Sequence, residues 1–199
     1  MDRRRAIVYV AGGVAALPVL WFAWSWLTYP SDHTPKGAYL RVMSAVNQGK
    51  PEAFFAYLET EARHSCYTIQ SYRKKARDRV LRSYPEPERS RLAAEYKAEA
   101  EAHGGPDIFA MEAHRHGWLT RLRRDMSGVK MVEIKGERAT VETVRGTRYP
   151  FRRRKNGIWG LTLFTATLVS EADKAARDYR MVVKAANDYD RVRREHAGK

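Results

Sequence analysis

The first 29 residues begin with a short charged stretch and continue as one long apolar run. Arg3, Arg4 and Arg5 precede the run, and no charged side chain occurs from Ala6 to Tyr29. A helix rises about 1.5 Å per residue, so the run would reach roughly 36 Å, more than the hydrocarbon core of about 30 Å. The pattern therefore predicts a cytoplasmic stub and transmembrane signal-anchor over residues 1–29.

The outer end of this run is rich in aromatic side chains. It carries Trp21, Trp24, Trp26 and Tyr29, whose amphipathic rings are typical of the headgroup level of a bilayer. A cleaved secretory signal has a shorter apolar core, about 7 to 15 residues, and ends in small residues. Retention of the anchor is therefore favoured, and a cleaved signal and a buried soluble helix are the alternatives.

Basic residues near the two ends of the span predict its orientation, because the flank richer in Lys and Arg stays in the cytoplasm. The three arginines adjoin the amino end, whereas the first basic residues after the span are Lys36 and Arg41. We expect a single-pass protein of the cell (inner) membrane, with residues 30–199 in the periplasm or outside the cell. The opposite topology stays open, since that domain is itself very basic.

Apolar residues recur at helical spacing from Thr34 to Met126. The expected helices start at Thr34-Pro35, at Pro51, near Ala62, after Pro87 and at a cap on Asp107. We expect the Ala- and Glu-rich helix after Pro87 to lie on the surface. The last of these helices is expected to continue as far as Leu122.

The period changes from helical to twofold at Gly128. Strands are predicted over Val129–Ile134, Ala139–Val144, Thr147–Arg153 and Ile158–Leu168. The Asn156-Gly157 pair is typical of a tight hairpin turn. Pro150 predicts that the third strand lies at an edge or is bulged, because proline cannot donate to a ladder. Ser170 and Asp173 resemble a capping box that opens a final long helix.

The order of these elements predicts an α+β fold, and two stretches resemble a known family. Residues 45–58, followed by Glu61-Ala62-Arg63, resemble the opening helices of NTF2-like (cystatin-like cone) domains. Residues 149–161 resemble the paired strands of the same family. The resemblance implies an extracytoplasmic domain over residues 30–199, with helices packed on a four-stranded antiparallel meander and a carboxy-terminal helix. Residues from about 60 to 126 would be a helical insertion.

No catalytic or metal site is predicted. Catalytic NTF2-like proteins place acid-base residues inside the cone, but the strand faces expected to point inward offer no carboxylate. The residues expected on those faces are Tyr149, Phe151, Trp159, Leu161 and Leu163. His114 and His116 would point about 200° apart on a helix, and no HExxH or CxxC motif accompanies them. We therefore expect no enzyme activity, metal or cofactor, and the histidines are interpreted as surface or capping residues.

The charge balance is strongly basic, with 37 Lys and Arg against 23 Asp and Glu and a formal charge of +14. The possible anionic-surface contacts form three clusters: Arg73, Lys74 and Lys75; Arg121, Arg123 and Arg124; Arg152, Arg153, Arg154 and Lys155. They are either solvated faces or contacts to anionic headgroups, where each basic residue contributes about 1 kcal/mol. Nucleic acid is not expected as a partner outside the cell membrane. The single cysteine, Cys66, excludes an internal disulfide.

These observations favour a membrane-anchored binding or assembly module, an accessory subunit or scaffold that contacts membrane lipid and other membrane proteins or self-associates. Two alternatives stay open: a small-molecule-binding or catalytic NTF2-like cone, and a basic peripheral domain that binds anionic lipid headgroups. An apolar, strand-lined pocket with a buried carboxylate or histidine would favour the cone. A filled interior with exposed apolar side chains on an outer face would favour assembly.

Overall fold

The computed structural model describes residues 30–197, and those from Asp32 onward belong to one unit. The predicted membrane anchor, including Arg3, Arg4, Arg5, Trp21, Trp24, Trp26 and Tyr29, lies outside the described residues and stays a prediction. Within the described part of the chain, none of the helices combines the length and the apolar character needed to cross a bilayer.

Residues 30–197 form seven α-helices, one 3-10 helix and four strands. The helices are α1 (Pro35–Gln48), α2 (Pro51–Phe54), the 3-10 helix (Phe55–Tyr57), α3 (Thr60–Ser83), α4 (Glu88–Ala100), α5 (Gly105–Arg115), α6 (Trp118–Asp125) and α7 (Thr165–Ala197). The strands are β1 (Val129–Lys135), β2 (Arg138–Thr143), β3 (Arg148–Arg153) and β4 (Trp159–Leu161). The predicted α+β class is confirmed, with helices first, an antiparallel sheet next and one long helix last.

Helix α1 begins and ends at the residues that its sequence predicts. The Gly37 N–H donates to Thr34 Oγ1 at 3.1 Å, and Pro35 occupies the first turn, where a missing N–H is tolerated. The helix ends at Gly49, whose φ of 73° is in the left-handed region that glycine adopts without steric cost. These caps fix the length of the helix that packs on the sheet.

Helix α4 lies on the surface as expected, and one face of its second half is buried. Tyr96, Glu99 and Ala100 are 7–8% exposed and face α3. Tyr96 belongs to a second hydrophobic cluster shared by α3, α4 and α7. The alanines that made the amphipathic pattern weak still allow close helix contact, because their side chains are small.

The predicted helix from Asp107 to Leu122 is two helices. The chain breaks at Gly117, whose φ of 63° is left-handed, and α6 begins at Trp118. Asp107 is inside the first turn of α5, where it accepts a hydrogen bond from the His103 N–H at 2.9 Å, and the N-cap position is Gly104. The break lets α6 turn back and pack against α1.

The four strands form a meander in the order β1-β2-β3-β4, with every pair antiparallel. A bulge interrupts the β1 register between Val129 and Met131. Strand β3 is an inner strand, so the expectation that Pro150 marks an edge is wrong. Pro150 lies just beyond the stretch of β3 that pairs with β4, which begins at Phe151, so its missing N–H removes no ladder bond.

The predicted fourth strand is much shorter than expected, and the last helix starts earlier. Strand β4 ends at Leu161, and α7 begins at Thr165 rather than Ser170. Phe164 and Leu168 are both buried and are joined by a Leu168 N–H to Phe164 O bond of 3.0 Å, a helical connection. Leu163 is therefore 45% exposed and does not share a face with the buried strand residues.

Aromatic side chains occupy the interior between the sheet and the first helices. Phe54 and Phe109 meet edge to face with ring centroids 4.9 Å apart, and Trp118 stacks on Phe164 at 4.4 Å. Four of the five residues expected to point inward from the strands are buried there: Tyr149, Phe151, Trp159 and Leu161. Burial of these rings is the main source of stability for this half of the unit.

Candidate functional site

A cleft of about 780 Å³ lies beside the turn between β3 and β4. Its other walls are the amino end of α3 and the second turn of α7. One side carries the predicted basic cluster of Arg152, Arg153, Arg154 and Lys155. The other side carries Glu59, Glu61, His64 and Asp173, so groups of both charge signs line the same cleft.

The tight turn after β3 positions the basic side of the cleft. The Gly157 N–H donates to the Arg154 carbonyl at 2.9 Å, and the Arg154 N–H donates to the Ile158 carbonyl at 2.9 Å. Gly157 has a φ of 81°, the left-handed conformation that the Asn-Gly pair predicted for this turn. The turn therefore holds consecutive basic residues at one end of the cleft.

The basic side chains of the cleft differ in the contacts that they make. Arg154 Nη1 donates to the Ala56 carbonyl at 2.6 Å, and burial, with repulsion from Arg63, lowers the pKa of Arg154. Within residues 30–197, the side chains of Arg152, Arg153 and Lys155 make no hydrogen bond or ion pair. Three cations at the cleft are thus available to an anionic group.

Glu59 is the unusual residue on the acidic side. It is only 6% exposed, yet its carboxylate has no hydrogen bond or ion pair with any residue that the structure describes. Its backbone is firmly held, because the Glu59 N–H donates to the Leu161 carbonyl at 3.2 Å. Gly160 packs so closely that an added Cβ would lie 2.6 Å from Glu59 Cα. The residue is therefore largely buried and held at its backbone, and its carboxylate is open to the cleft and unpartnered within the described residues.

The first predicted basic cluster needs a correction, because Arg73 is buried. Arg73 Nε is 2.7 Å from Glu99 Oε2, and Arg73 Nη1 is 2.7 Å from Asp178 Oδ2. With both carboxylates engaged and its side chain 11% exposed, Arg73 cannot contact a lipid surface. Lys74 and Lys75 are exposed as expected.

The second predicted basic cluster lies on α6. Arg123 Nε donates to the Val46 carbonyl at 3.0 Å, so Arg123 satisfies an acceptor near the end of α1. Arg124 pairs with Asp125 at 2.9 Å, and Arg121 is exposed. The cleft is lined by the third cluster and by neither of the other two, so the structure does not join the three clusters into one site.

A buried ionic network links α3, α4, α5 and α7, and the sequence reasoning missed it. Glu99 binds both Arg73 and Arg115, and Arg115 also binds Glu112. Burial raises the pKa of Glu112, and the Arg115 guanidinium opposes that rise. The available signal was the position of Glu99 three residues after Tyr96, on the same helical face as a large apolar side chain. The network connects four helices, and both of its guanidinium groups are paired with carboxylates.

The histidines and the cysteine are distributed over separate places. His116 Nε2 is 3.3 Å from Glu112 Oε2, and its ring stacks on Trp118, whereas His114 is exposed. Across residues 30–197, no group of three His, Cys, Asp or Glu residues could hold a metal ion. Cys66 is buried, and burial, with the nearby Glu112 charge, raises the pKa of its thiol to about 12.

The site is thus a mixed-charge cleft on an α+β domain. In comparisons with known proteins, no family model, curated protein or solved structure matches this chain.

Proposed function

We propose that this chain is a single-pass, membrane-anchored binding and assembly module whose domain contacts another membrane protein. The observation that carries the proposal is an interior filled by aromatic side chains, combined with apolar side chains left exposed along strand β1. The anchor and its orientation, with the amino end in the cytoplasm and the domain outside, are part of the proposal and come from the sequence.

The filled interior argues against a catalytic or small-molecule-binding cone. The strand residues that would line such a cone, among them Tyr149, Phe151 and Leu161, are buried against aromatic residues of the helices. The cleft lies elsewhere, and most of the residues that line it are of charged or polar type. An apolar binding site normally needs a concave surface that its own side chains leave open.

Strand β1 offers the surface that an assembly module needs. Within the described sheet it pairs only with β2, so its other edge carries backbone groups that a strand of a partner can bind. Met131 is 49%, Ile134 57% and Val144 70% exposed along this edge and at the end of β2. Burial of such side chains at an interface contributes roughly 25 cal/mol per Å² of apolar area.

The charges and the bulge of β1 restrict which strand can pair with it. Lys130 binds Glu142 at 2.8 Å and Lys135 binds Glu133 at 2.7 Å, so charged side chains alternate with the exposed apolar ones. The bulge between Val129 and Met131 breaks the regular register. Lysines and bulges are common means of preventing unselective edge pairing, which favours a specific partner over aggregation.

The NTF2-like assignment is also part of the proposal. The order of short helices followed by a four-stranded antiparallel meander supports it. Under this assignment, residues from about 60 to 126 are a helical insertion. Helix α7, which follows the last strand, is a further addition to the family's usual elements.

A crosslinking experiment on the intact chain tests the assembly proposal. A photo-reactive residue replaces Ile134 on β1 or, as a matched control, Met181 on α7, which is 63% exposed. After irradiation of membranes, we expect a discrete adduct with another membrane protein from position 134 and none from position 181. The Ile134→Lys variant should lose co-purification with that protein, and Met181→Lys should retain it.

Three outcomes would count against this proposal. Recovery of the intact chain as a monomer without any adduct would contradict assembly. Equal crosslinking from positions 134 and 181 would contradict the assignment to β1. An adduct of twice the chain's mass would identify self-association instead of a different partner.

One observation favours a second candidate, a domain that binds anionic lipid headgroups. Arg152, Arg153 and Lys155 are exposed and lack partners within the described residues. The test is hydrogen exchange of the 152–157 turn in the intact chain, reconstituted in nanodiscs with or without anionic lipid. Slower exchange with anionic lipid alone would support this candidate, and equal exchange in both would reject it.

A further inference from the structure

The cleft beside the β3–β4 turn holds uncompensated groups of both charge signs. Glu59 is 6% exposed, and its carboxylate opens to the cleft and has no partner within the described residues. Arg152, Arg153 and Lys155, which line the same cleft, also lack partners there. Unpaired charged groups of both signs that line one cleft can bind a ligand that carries the complementary charges.

The unpartnered carboxylate indicates a cationic group in the ligand. A carboxylate without a hydrogen bond or counter-ion in the protein can form a charge-assisted hydrogen bond with an ammonium group that enters the cleft. Glu59 cannot easily relax, because its N–H bonds to the Leu161 carbonyl and Gly160 packs against its backbone. An ammonium group entering the cleft would therefore gain a preorganised acceptor.

The basic side indicates a phosphate more than a carboxylate. Three cations without partners, Arg152, Arg153 and Lys155, line the cleft at the β3–β4 turn. A phosphate accepts more charge-assisted hydrogen bonds than a carboxylate and suits guanidinium geometry. The exposed carboxylates of Glu61 and Asp173 also line the cleft and add to its attraction for an ammonium group.

The size and the middle of the cleft agree with a small ligand. Its volume of about 780 Å³ is in the range of small-molecule sites, about 300 to 1,000 Å³. Val169 and Ala172 of α7 supply apolar lining to the cleft. A short aliphatic linker between the two charged groups would pack there.

We propose that this cleft binds an aminoalkyl phosphate, a zwitterion whose ammonium group meets Glu59 and whose phosphate meets Arg152, Arg153 and Lys155. This site is separate from the β1 edge and does not depend on the assembly proposal. The same chemistry occurs in free phosphoethanolamine and in the headgroup of phosphatidylethanolamine.

Calorimetric titration of the intact chain in detergent tests the proposal with three probes: phosphoethanolamine, inorganic phosphate and ethanolamine. We expect phosphoethanolamine to bind one to one, and about tenfold or more tightly than either half alone, because it adds a charged hydrogen bond at the second end. Equal affinities for phosphoethanolamine and phosphate would overturn the ammonium site. Absence of binding by phosphoethanolamine would overturn the whole proposal.

Variants separate the two ends of the ligand. Glu59→Gln should abolish the preference for phosphoethanolamine over phosphate and leave phosphate binding unchanged, since only the ammonium contact is lost. Lys155→Gln should weaken the binding of both phosphoethanolamine and inorganic phosphate. Lys75→Gln, on an exposed part of α3 outside the cleft, is the matched control. It should change neither the affinity for phosphate nor the preference for phosphoethanolamine. Retention of the preference by a folded Glu59→Gln variant, verified by circular dichroism, would contradict the assigned role of Glu59.

The source of the ligand is distinguished in nanodiscs. If the lipid headgroup occupies the cleft, discs of phosphatidylethanolamine should weaken apparent binding of free phosphoethanolamine relative to discs of phosphatidylglycerol. If the free solute is the ligand, the two kinds of disc should give the same affinity.

Discussion

Replacement of Gly160 by alanine tests the close contact that fixes Glu59 beside the cleft. In strand β4, an added Cβ would lie 2.6 Å from Glu59 Cα, 2.7 Å from Glu59 N and 2.8 Å from the Leu58 carbonyl oxygen. All three neighbours are backbone atoms, so no side chain can rotate away. The strand and the segment before α3 must separate.

The expected loss of stability follows from three contributions. Overpacking of this kind costs about 1–3 kcal/mol. Separation also weakens the hydrogen bond from the Glu59 N–H to the Leu161 carbonyl, which contributes about 1 kcal/mol. The alanine also lowers the conformational entropy of the unfolded chain, which stabilises the folded protein by about 0.4–1 kcal/mol. We expect a net loss of about 1–3.5 kcal/mol in the free energy of unfolding, or a Tm lower by about 2–14 °C for a domain of this size.

The assay is thermal and urea unfolding of the intact chain in detergent, followed by circular dichroism. Gly128→Ala is the matched control, since its added Cβ would have only an ordinary contact, 3.7 Å from Val144 Cγ2. We expect the control to stay within about 0.5 kcal/mol of the parent chain. Equal stability of the Gly160→Ala and Gly128→Ala variants would refute the reasoning. Tight binding of phosphoethanolamine by a Gly160→Ala protein with wild-type stability would also refute it.

Two further predictions concern buried groups of the helical layer. Arg73→Met should lower the free energy of unfolding by about 3 kcal/mol, because the half-buried Asp178 loses its cation and Glu99 keeps only Arg115. The neighbouring variant Lys74→Met, at an exposed position, should change the free energy of unfolding by less than about 0.5 kcal/mol, measured by urea titration of both variants. A similar loss of stability in the two variants would contradict the buried network. Cys66, with its thiol pKa near 12 and its burial, should resist iodoacetamide at neutral pH until urea unfolds the chain. Rapid alkylation of the folded protein, read by mass spectrometry, would show that the thiol is accessible.

Local signals predicted those parts of the fold whose ends are decided by neighbouring residues. Thr34, Pro35 and Gly49 determine α1 through a side-chain cap, a fixed φ and a left-handed φ. The Asn156-Gly157 turn likewise follows from local backbone chemistry. These features needed no knowledge of tertiary contacts.

Elements whose boundaries depend on tertiary packing were predicted less well. The sequence from Trp159 to Leu168 alternates like a strand, but Phe164 and Leu168 also have the spacing of one helical face. The structure has the helical spacing, because Phe164, directly before α7, and Leu168 of α7 both enter the aromatic interior. A short apolar run is compatible with either period, and only the partner surface decides.

The candidate site was partly predictable. The basic side of the cleft was visible as a run of consecutive charged residues after β3. The burial of Glu59 was not, because it results from the contact of its backbone with β4, about a hundred residues later in the chain. Arg73 and Lys74 are adjacent basic residues in the sequence, and only the approach of Glu99 and Asp178 from two other helices distinguishes them.

The length of α7 has a consequence for how the domain opens. Its 33 residues span about 50 Å, and it contributes Leu168 and Ala172 to the aromatic cluster and Val182 and Ala186 to the second one. A single continuous helix therefore belongs to both hydrophobic clusters of the domain. Native-state hydrogen exchange should show the amides of α3 and α7 opening together, so that neither cluster melts as an independent subunit of the fold.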